Sequence, residues 1–325
     1  MDPLVEKFES LDQALRDISS PLLIIHPKPD ADALGGAFAF SDYLSCRFGK
    51  NDLMILSVDT PGQALSSLFP IGRLSSSIHN IEDHDALIFL DRGDVFYKLE
   101  FDKKIELLKK QPKIINIDHH PHTFIPNALN IIDTKASATT EIIFRFFEHV
   151  QYDFDAKIAQ YLLSGIYTDT GGFRHNNTSP ETLEISGSLL RKGASITKIN
   201  RALFTNKSLN TLRLWGIALE RAKINIRTGM AVSFITKEDI KRCGATTEDI
   251  SGISEILNTI SNSKFSLILS EREKNKVKAS LRSDEHKKVD VSKIARQFQG
   301  GGHKLASGFE IKGRLRQIGD SWIIE

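Results

Sequence analysis

The chain has 325 residues, of which 40% are apolar and 26% charged, with 21 glycines and 10 prolines. That composition excludes disordered, collagen-like and low-complexity proteins, and the length suffices for two hydrophobic cores. The formal charge of +2 hides an asymmetry: residues 1–190 hold 17 basic and 27 acidic side chains, net −10, whereas residues 191–325 hold 26 and 14, net +12.

In chain order, Leu4, Val5, Phe8, Leu11, Leu15 and Ile18 recur at helical spacing and predict an amphipathic helix that Pro21 terminates. The apolar run 22–25 reads as a buried strand. His26-Pro27 follows, and the Gly- and Ala-rich stretch 33–40 then predicts a close-packed helix. Further strands are expected at 53–58, 86–90 and 113–117, with helices at 101–110, 141–150, 156–168 and 180–192. Such alternation predicts a doubly wound, mainly parallel α/β sheet covered on both faces, with sites at the carboxyl ends of its strands. Residues 196–219 read as one helical connector. Beyond it, strand-like runs at 223–226, 230–235, 265–269 and 277–281, with helices near 250–260 and 291–298, predict a smaller α+β domain with a mixed sheet. The segment Glu271-Arg272-Glu273-Lys274-Asn275-Lys276 reads as a solvated hairpin turn.

Four places in the first half put Asp or His at the end of an apolar run. They are His26, Asp30 and Asp32 after 22–25; Asp91 after 86–90; Asp118-His119-His120 after 114–117; and Asp169 within 165–172. Taken singly, Asp30 or Asp32 is an ordinary helix cap, Asp91 a turn residue and His119-His120 a surface pair. In a parallel sheet, however, such ends converge, and the gathered carboxylates would repel one another and shift upward in pKa. Divalent cations resolve that conflict. Asp and His donors without thiolate suit Mn²⁺, Mg²⁺, Fe²⁺ or Zn²⁺, and this many carboxylates point to a pair of cations able to activate a nucleophile and clamp a phosphoryl group.

The ordered series of His26, Asp30 and Asp32, then Asp91, then Asp118-His119-His120, then Asp169 resembles the four motifs of the DHH phosphoesterase superfamily over about the first 190 residues. In the other half Gly300-Gly301-Gly302-His303 with Ala306-Ser307-Gly308 resembles the GGGH segment of the DHH-associated C-terminal domain. By length and domain pair the likeness is to the nanoRNase/pAp phosphatase group. The resemblance implies that His26, Asp30 and Asp91 hold one cation and Asp32, Asp91, His119 and Asp169 the other, with Asp91 bridging. It also implies that Asp118 orients a ligand from behind and that His120 contacts substrate oxygen or protonates the leaving group. Mn²⁺ is the first cation it suggests. Lys28 departs from the pattern, since many members carry Asn there. Arg92 is a second departure, either an added phosphate contact or a solvent-facing neighbour, the latter preferred.

Three successive glycines let backbone N–H groups approach an anion closely. By resemblance Gly301, Gly302 and His303, together with Arg282 in the strand 278–283, contact substrate phosphate or base, and Arg174 positions the scissile phosphate. Thr178 or Ser179 is an equal candidate for capping the helix after Pro180. These readings divide the chain into a metal-binding catalytic domain (1–192), a helical connector (193–220) and a substrate-binding domain (221–325). The implied activity is two-metal hydrolysis of short oligoribonucleotides and linear dinucleotides to 5′-mononucleotides, and of 3′-phosphoadenosine 5′-phosphate (pAp) to AMP. Alternatives are a cyclic-di-AMP phosphodiesterase, a family II-like inorganic pyrophosphatase and a non-catalytic nucleotide-binding regulator. The resemblance also suggests a homodimer through the first domain. Cys46 and Cys243 are too few for a disulfide framework and lack zinc spacing, so two buried thiols in a reducing compartment are expected. No apolar run reaches the roughly 18–20 residues that cross a bilayer, which predicts a soluble cytoplasmic protein without a membrane partner.

Overall fold

The computed structural model describes residues 3–50, 53–77, 81–93, 101–108, 110–205, 207–273, 275–302, 304–318 and 321–325. They form two compact units, Met1–Asn206 and Lys207–Glu325.

The first unit begins with helix α1 (Pro3–Arg16), which buries Leu4, Phe8, Leu11 and Leu15. Strand β1 (Pro21–Ile24) leads into α2 (Ala31–Phe48), and β2 (Ile55–Leu56), β3 (Leu74–Ser75) and β4 (Ala86–Leu90) follow. Next come α3 (Phe101–Glu106), β5 (Lys113–Asp118), β6 (Leu129–Ile132), α4 (Thr139–His149), α5 (Ala156–Asp169), α6 (Pro180–Arg191) and α7 (Ile196–Asn200). The six strands are parallel, in the order β3-β2-β1-β4-β5-β6. Alternate residues of one strand enter different cores, as the pleat requires. Leu23, Ile88 and Leu90 pack with α1, α2, α4 and α5, while Leu22, Ile24, Leu87 and Phe89 pack with Phe101 and Ile105 of α3. Gly35 lets α2 lie directly on α5, because a Cβ there would stand 2.4 Å from the Tyr161 carbonyl oxygen. The strand order runs outward in opposite directions from β1 and β4. The carboxyl edge between those two strands is the place where open α/β sheets bind ligands.

The second unit contains α8 (Leu209–Glu220), β7 (Lys223–Asn225), β8 (Met230–Ile235), α9 (Lys237–Cys243), α10 (Ile253–Asn258), β9 (Phe265–Arg272) and β10 (Lys276–Arg282). It continues with α11 (Val291–Gln297), β11 (Gly301–Gly302), β12 (Ala306–Lys312) and the hairpin β13 (Leu315–Ile318) and β14 (Ser321–Ile324). Its mixed sheet has the order β11-β12-β10-β9-β8-β7, with β8 and β9 parallel and the other described pairs antiparallel. Leu214 and Ala218 of α8 pack with Ile253 and Leu257 of α10 over Ile268, whereas Val291 and Ala295 of α11 cover Ala279, Leu281 and Phe309.

Several expectations need correction. The helix expected over 196–219 is interrupted, because Arg201–Thr205 forms a wide π-type turn and Ser208 then caps α8 by accepting from the Thr211 N–H. The strand expected at 53–58 shortens to two residues. Glu271 is not merely part of a solvated turn, since its carboxylate accepts from the Lys237 N–H at 2.8 Å and the Leu315 N–H at 2.9 Å. Cys243 is buried, but Cys46 is exposed near the end of α2.

Candidate metal centre

Each candidate side chain stands where a local rule puts it. His26 lies two residues past the end of β1, and Asp91 follows β4 directly with φ +49. Asp118 ends β5, and His119-His120 come next. Asp30 caps α2: its Oδ1 accepts from the Asp32 and Ala33 N–H groups at 3.0 and 3.1 Å, so capping leaves Oδ2 toward His26. Asp169 is not at a strand end as expected. It is the last residue of α5, whose apolar run extends the helical pattern of 156–168.

The structure brings His26, Asp30, Asp32, Asp91, His119, His120 and Asp169 together in three overlapping groups. Donor atoms lie within 4.8 Å of one another in His26/Asp30/Asp91, in Asp91/His119/His120 and in Asp32/His119/Asp169. Asp91 faces two ways, with Oδ2 3.6 Å from His26 Nε2 and Oδ1 3.8 Å from His119 Nε2. His26 Nε2 is 3.7 Å from Asp30 Oδ2, and His119 Nε2 is 3.4 Å from Asp169 Oδ2.

The imidazoles are oriented from behind. His26 Nδ1 meets the Pro27 carbonyl at 2.7 Å and His119 Nδ1 the Ala136 carbonyl at 3.4 Å, which turns both Nε2 atoms toward the carboxylates. His119 Nε2 is buried and has no hydrogen-bond partner among the described residues. Such an orphan acceptor, aimed at carboxylates of two groups, fits a cation.

The electrostatics agree. Burial and the charge of Asp91 push the Asp32 carboxyl up to about 7, and burial together with the charge of Asp32 raises Asp169 well above the ordinary range. Burial works against His26, but Asp30 and Asp91 outweigh it and push the ring up to about 11. His120, drawn by Asp118 and Asp91, is likewise pushed up to about 11. Burial alone would raise Asp91, yet His120 and His26 hold it well below the usual carboxylate range. Without cations, protons on imidazoles offset the acidic cluster. Divalent ions would take that role and release them.

Sequence reasoning missed Thr139 and Thr140, the first residues of α4. Their N–H groups donate to Asp32 at 2.7 and 2.9 Å, the Thr140 hydroxyl adds a bond at 2.6 Å, and the Thr139 hydroxyl donates to Asp91 Oδ1 at 3.2 Å. A helix start favours an anion there. The available signal was Thr139-Thr140-Glu141 opening an apolar run. Gly165 of α5 is equally necessary, because a Cβ would fall 2.4 Å from Thr140 Oγ1 and 2.5 Å from Asp32 Oδ1.

Asp118, fully buried, accepts from the Arg92 N–H at 3.2 Å and from the His120 N–H and ring Nδ1, both at 2.9 Å. Arg92 is neither solvent-facing nor open to phosphate: it is buried, and its guanidinium donates to the carbonyls of Gly93, at 2.8 Å, and Thr123. Arg174 is exposed on the loop after α5, tethered by Nε to the Gly171 carbonyl at 2.7 Å. Asn177 ties the same loop to the Ser137 and Asp169 carbonyls at 3.0 and 3.2 Å. Ser179, rather than Thr178, caps α6.

In the second unit Arg282 donates through Nε to Glu255 at 2.9 Å. Gly301 and Gly302 pair with Gly308 and Ser307. Gly302, at φ +132, leaves no room for a Cβ beside the Ala306 carbonyl, whereas a Cβ on Gly301 would meet nothing within 4 Å. His303 lies outside the described residues.

Two family models match this arrangement: the N-terminal domain of the DHH family over residues 22–166 and the DHHA1 domain over residues 227–320. The chain thus carries a DHH-family N-terminal domain followed by a DHHA1 domain and is a hydrolytic phosphoesterase, and the DHH family is metal-dependent. A Bacillus subtilis protein named bifunctional oligoribonuclease and PAP phosphatase NrnA is 28% identical over 290 residues, covering 88% of this chain and 87% of that protein. A Thermus thermophilus protein of the same name is 27% identical and covers 95% and 89%. The crystal structure of an exopolyphosphatase-related protein from Bacteroides fragilis superposes with a TM-score of 0.84 at 25% identity, covering 95% of this chain and 92% of that one. No helix among the described residues is long and apolar enough to cross a membrane.

Proposed function

We propose that the chain is a two-cation phosphoesterase that cuts short oligoribonucleotides and linear dinucleotides to 5′-mononucleotides and removes the 3′-phosphate of pAp. The observation that carries this reading is Asp91, whose two oxygens face His26 on one side and His119 on the other. The names of the bacterial relatives support the substrate class. His26, Asp30 and Asp91 would hold one cation, and Asp32, Asp91, His119 and Asp169 the other, with Mn²⁺ the first to test. Bound there, such a pair supplies Lewis acidity and a nucleophile at neutral pH.

The protein's own groups do the rest. Thr139 and Thr140 fix Asp32, and Asp118 holds the His120 ring by Nδ1 so that His120 can deliver a proton to the leaving oxygen. Arg174 from the first unit, and Arg282, Gly301, Gly302 and His303 from the second, would contact substrate phosphates. Residues 1–192 thus form the catalytic domain, 221–325 the substrate domain and 193–220 their connector, in a cytoplasmic enzyme that pairs through its first domain.

A panel of pAp, pApA, cyclic-di-AMP and pyrophosphate, each with Mn²⁺, tests the reading. Turnover of pAp and pApA is expected. Rapid pyrophosphate hydrolysis without either would overturn it, and cleavage of cyclic-di-AMP alone would move the assignment to a cyclic-dinucleotide phosphodiesterase.

A further inference from the structure

The loop from β1 to α2 reads His26-Pro27-Lys28-Pro29-Asp30, and its middle residue is in an unfavourable conformation. Lys28 has φ +57, a left-handed backbone that crowds the Cβ of any residue other than glycine. Asn or Gly would meet it more cheaply.

The loop around it is over-determined. Pro27 and Pro29 fix their own φ on either side of Lys28, and Pro29 is buried. The Pro27 carbonyl is bonded to His26 Nδ1 at 2.7 Å, and Asp30 is committed to the cap of α2. The base of the Lys28 side chain is therefore presented rigidly, two residues from His26 and two from Asp30.

Lys28 itself is exposed and makes no hydrogen bond or ion pair with any described residue. The surrounding half of the chain has 27 acidic side chains against 17 basic ones, so partners are plentiful. Those nearest in sequence are engaged: Asp30 gives Oδ1 to the cap and turns Oδ2 to His26. An amine kept in a strained backbone, outside every ion pair among the described residues, adds nothing to the fold that Asn would not supply better. Its place in the loop between His26 and Asp30, two of the cluster's donors, suits an anion brought by the substrate.

We propose that Lys28 is a specificity residue that receives a second, non-scissile phosphate of the substrate. The proposal rests on the phosphoesterase reading above. The cluster itself takes the scissile phosphoryl group, so an exposed amine in the loop between His26 and Asp30 is left for a neighbouring phosphate. The enzyme should accordingly favour substrates with an additional phosphate over the same molecules without it.

The experiment compares pApA with ApA in the full-length Mn²⁺-loaded protein, for wild type and for Lys28→Asn, Lys28→Ala and Lys28→Arg. Wild type should prefer pApA. An exposed lysine–phosphate contact is worth up to about 1 kcal/mol, or roughly fivefold. The ratio of kcat/KM for pApA to that for ApA should therefore fall about fivefold in the Asn and Ala variants and return in the Arg variant. Lys28→Asn should also unfold at the same or a higher temperature than wild type and retain its manganese content. Three results would overturn the proposal: an unchanged ratio, equal losses on both dinucleotides, or failure of Arg to restore the preference. A wild-type protein inactive on both dinucleotides would instead defeat the assigned function, an outcome visible before any variant is made.

Discussion

Asp91 is the residue on which both halves of the donor cluster depend. Asp91→Asn keeps the shape but removes the charge facing His26 and His119, so it should lower kcat at least about a thousandfold and reduce bound manganese. Elemental analysis alongside a pApA assay checks both, and full manganese content with full activity would contradict the bridging role. Gly165→Ala tests the space around Asp32. Ala favours a helix over Gly by about 1 kcal/mol, so α5 should persist by circular dichroism while the displaced Asp32 weakens manganese binding. A pH series on cation-free protein follows from the titrating groups. His26 and His120 are pushed up to about 11, above an unfolded value of about 6.5. Their stabilisation is complete below that unfolded value and is lost as pH rises toward the folded one. Asp32, pushed up to about 7, acts in the same direction, because its folded form keeps a proton that the unfolded form has released. Asp91 has the opposite sign, but its contribution is lost only as pH falls through the acid range. The melting temperature of the EDTA-treated protein should therefore fall between about pH 6 and 9, and Mn²⁺ should raise it most at the upper end, where Asp32 has lost its proton and fewer protons compete for His26. A melting temperature flat over that range would count against the protonated cluster.

At the scale of elements, helix α9 is held by one carboxylate with several duties. Asp239 accepts from the Thr236 N–H and hydroxyl at 2.9 and 2.7 Å, completing a capping box, and pairs with Arg221, whose NH2 lies 3.0 Å away. The Arg221 guanidinium in turn lies over Phe234 and Trp322. Asp239→Ala leaves that cation unmatched and uncaps the helix, so a loss of about 3 kcal/mol is expected. Both tryptophans, Trp215 and Trp322, lie in the second unit and all five tyrosines in the first. Tryptophan fluorescence during urea unfolding therefore reads this unit, and an unshifted midpoint would show that the pair is dispensable. Neither Asp239 nor α9 was picked out in the sequence, because 237–243 is a short, mostly polar run; its Thr236-x-x-Asp239 capping signature is local, but the Arg221 partner is distant in sequence. The strand 86–90 was legible because it is a continuous apolar run buried on both faces, and 113–117 because Ile114, Ile115 and Ile117 cluster there despite exposed Lys113 and polar Asn116. The two-residue strands β2 and β3 carry too little pattern to be bounded. The motif acids and histidines could be picked out because each ends an apolar run, but Thr139, Thr140 and Gly165 act through backbone donors and empty space, which a list of chemical groups does not reveal. Arg92 was misjudged for a related reason: a charged residue after a strand suggests solvent, and only the carbonyls of Gly93 and Thr123 show how it is buried.

For the whole molecule, the charge of +2 is the sum of two unlike parts, and the proposed roles follow the same division. The carboxylates proposed to hold divalent ions lie in residues 1–190, while most of the lysines and arginines, 26 of 43, lie beyond them. Arg282 is the sharpest test of that division, because its guanidinium is already occupied. Glu255 holds Nε at 2.9 Å, and both side chains are partly exposed. An exposed pair of this kind contributes at most about 1 kcal/mol, so a phosphate dianion can compete for the same fork. Two variants should then move in opposite directions. Arg282→Ala should raise KM for pAp about tenfold, since a charge-assisted contact is worth about 1.5 kcal/mol or more, with kcat changed far less. Glu255→Gln frees the guanidinium and should lower KM about two- to fivefold. Both variants should retain wild-type manganese content, because neither residue belongs to the donor cluster. Loss of manganese from Arg282→Ala would contradict the division of labour, and KM unmoved in both variants would remove Arg282 from the substrate contacts.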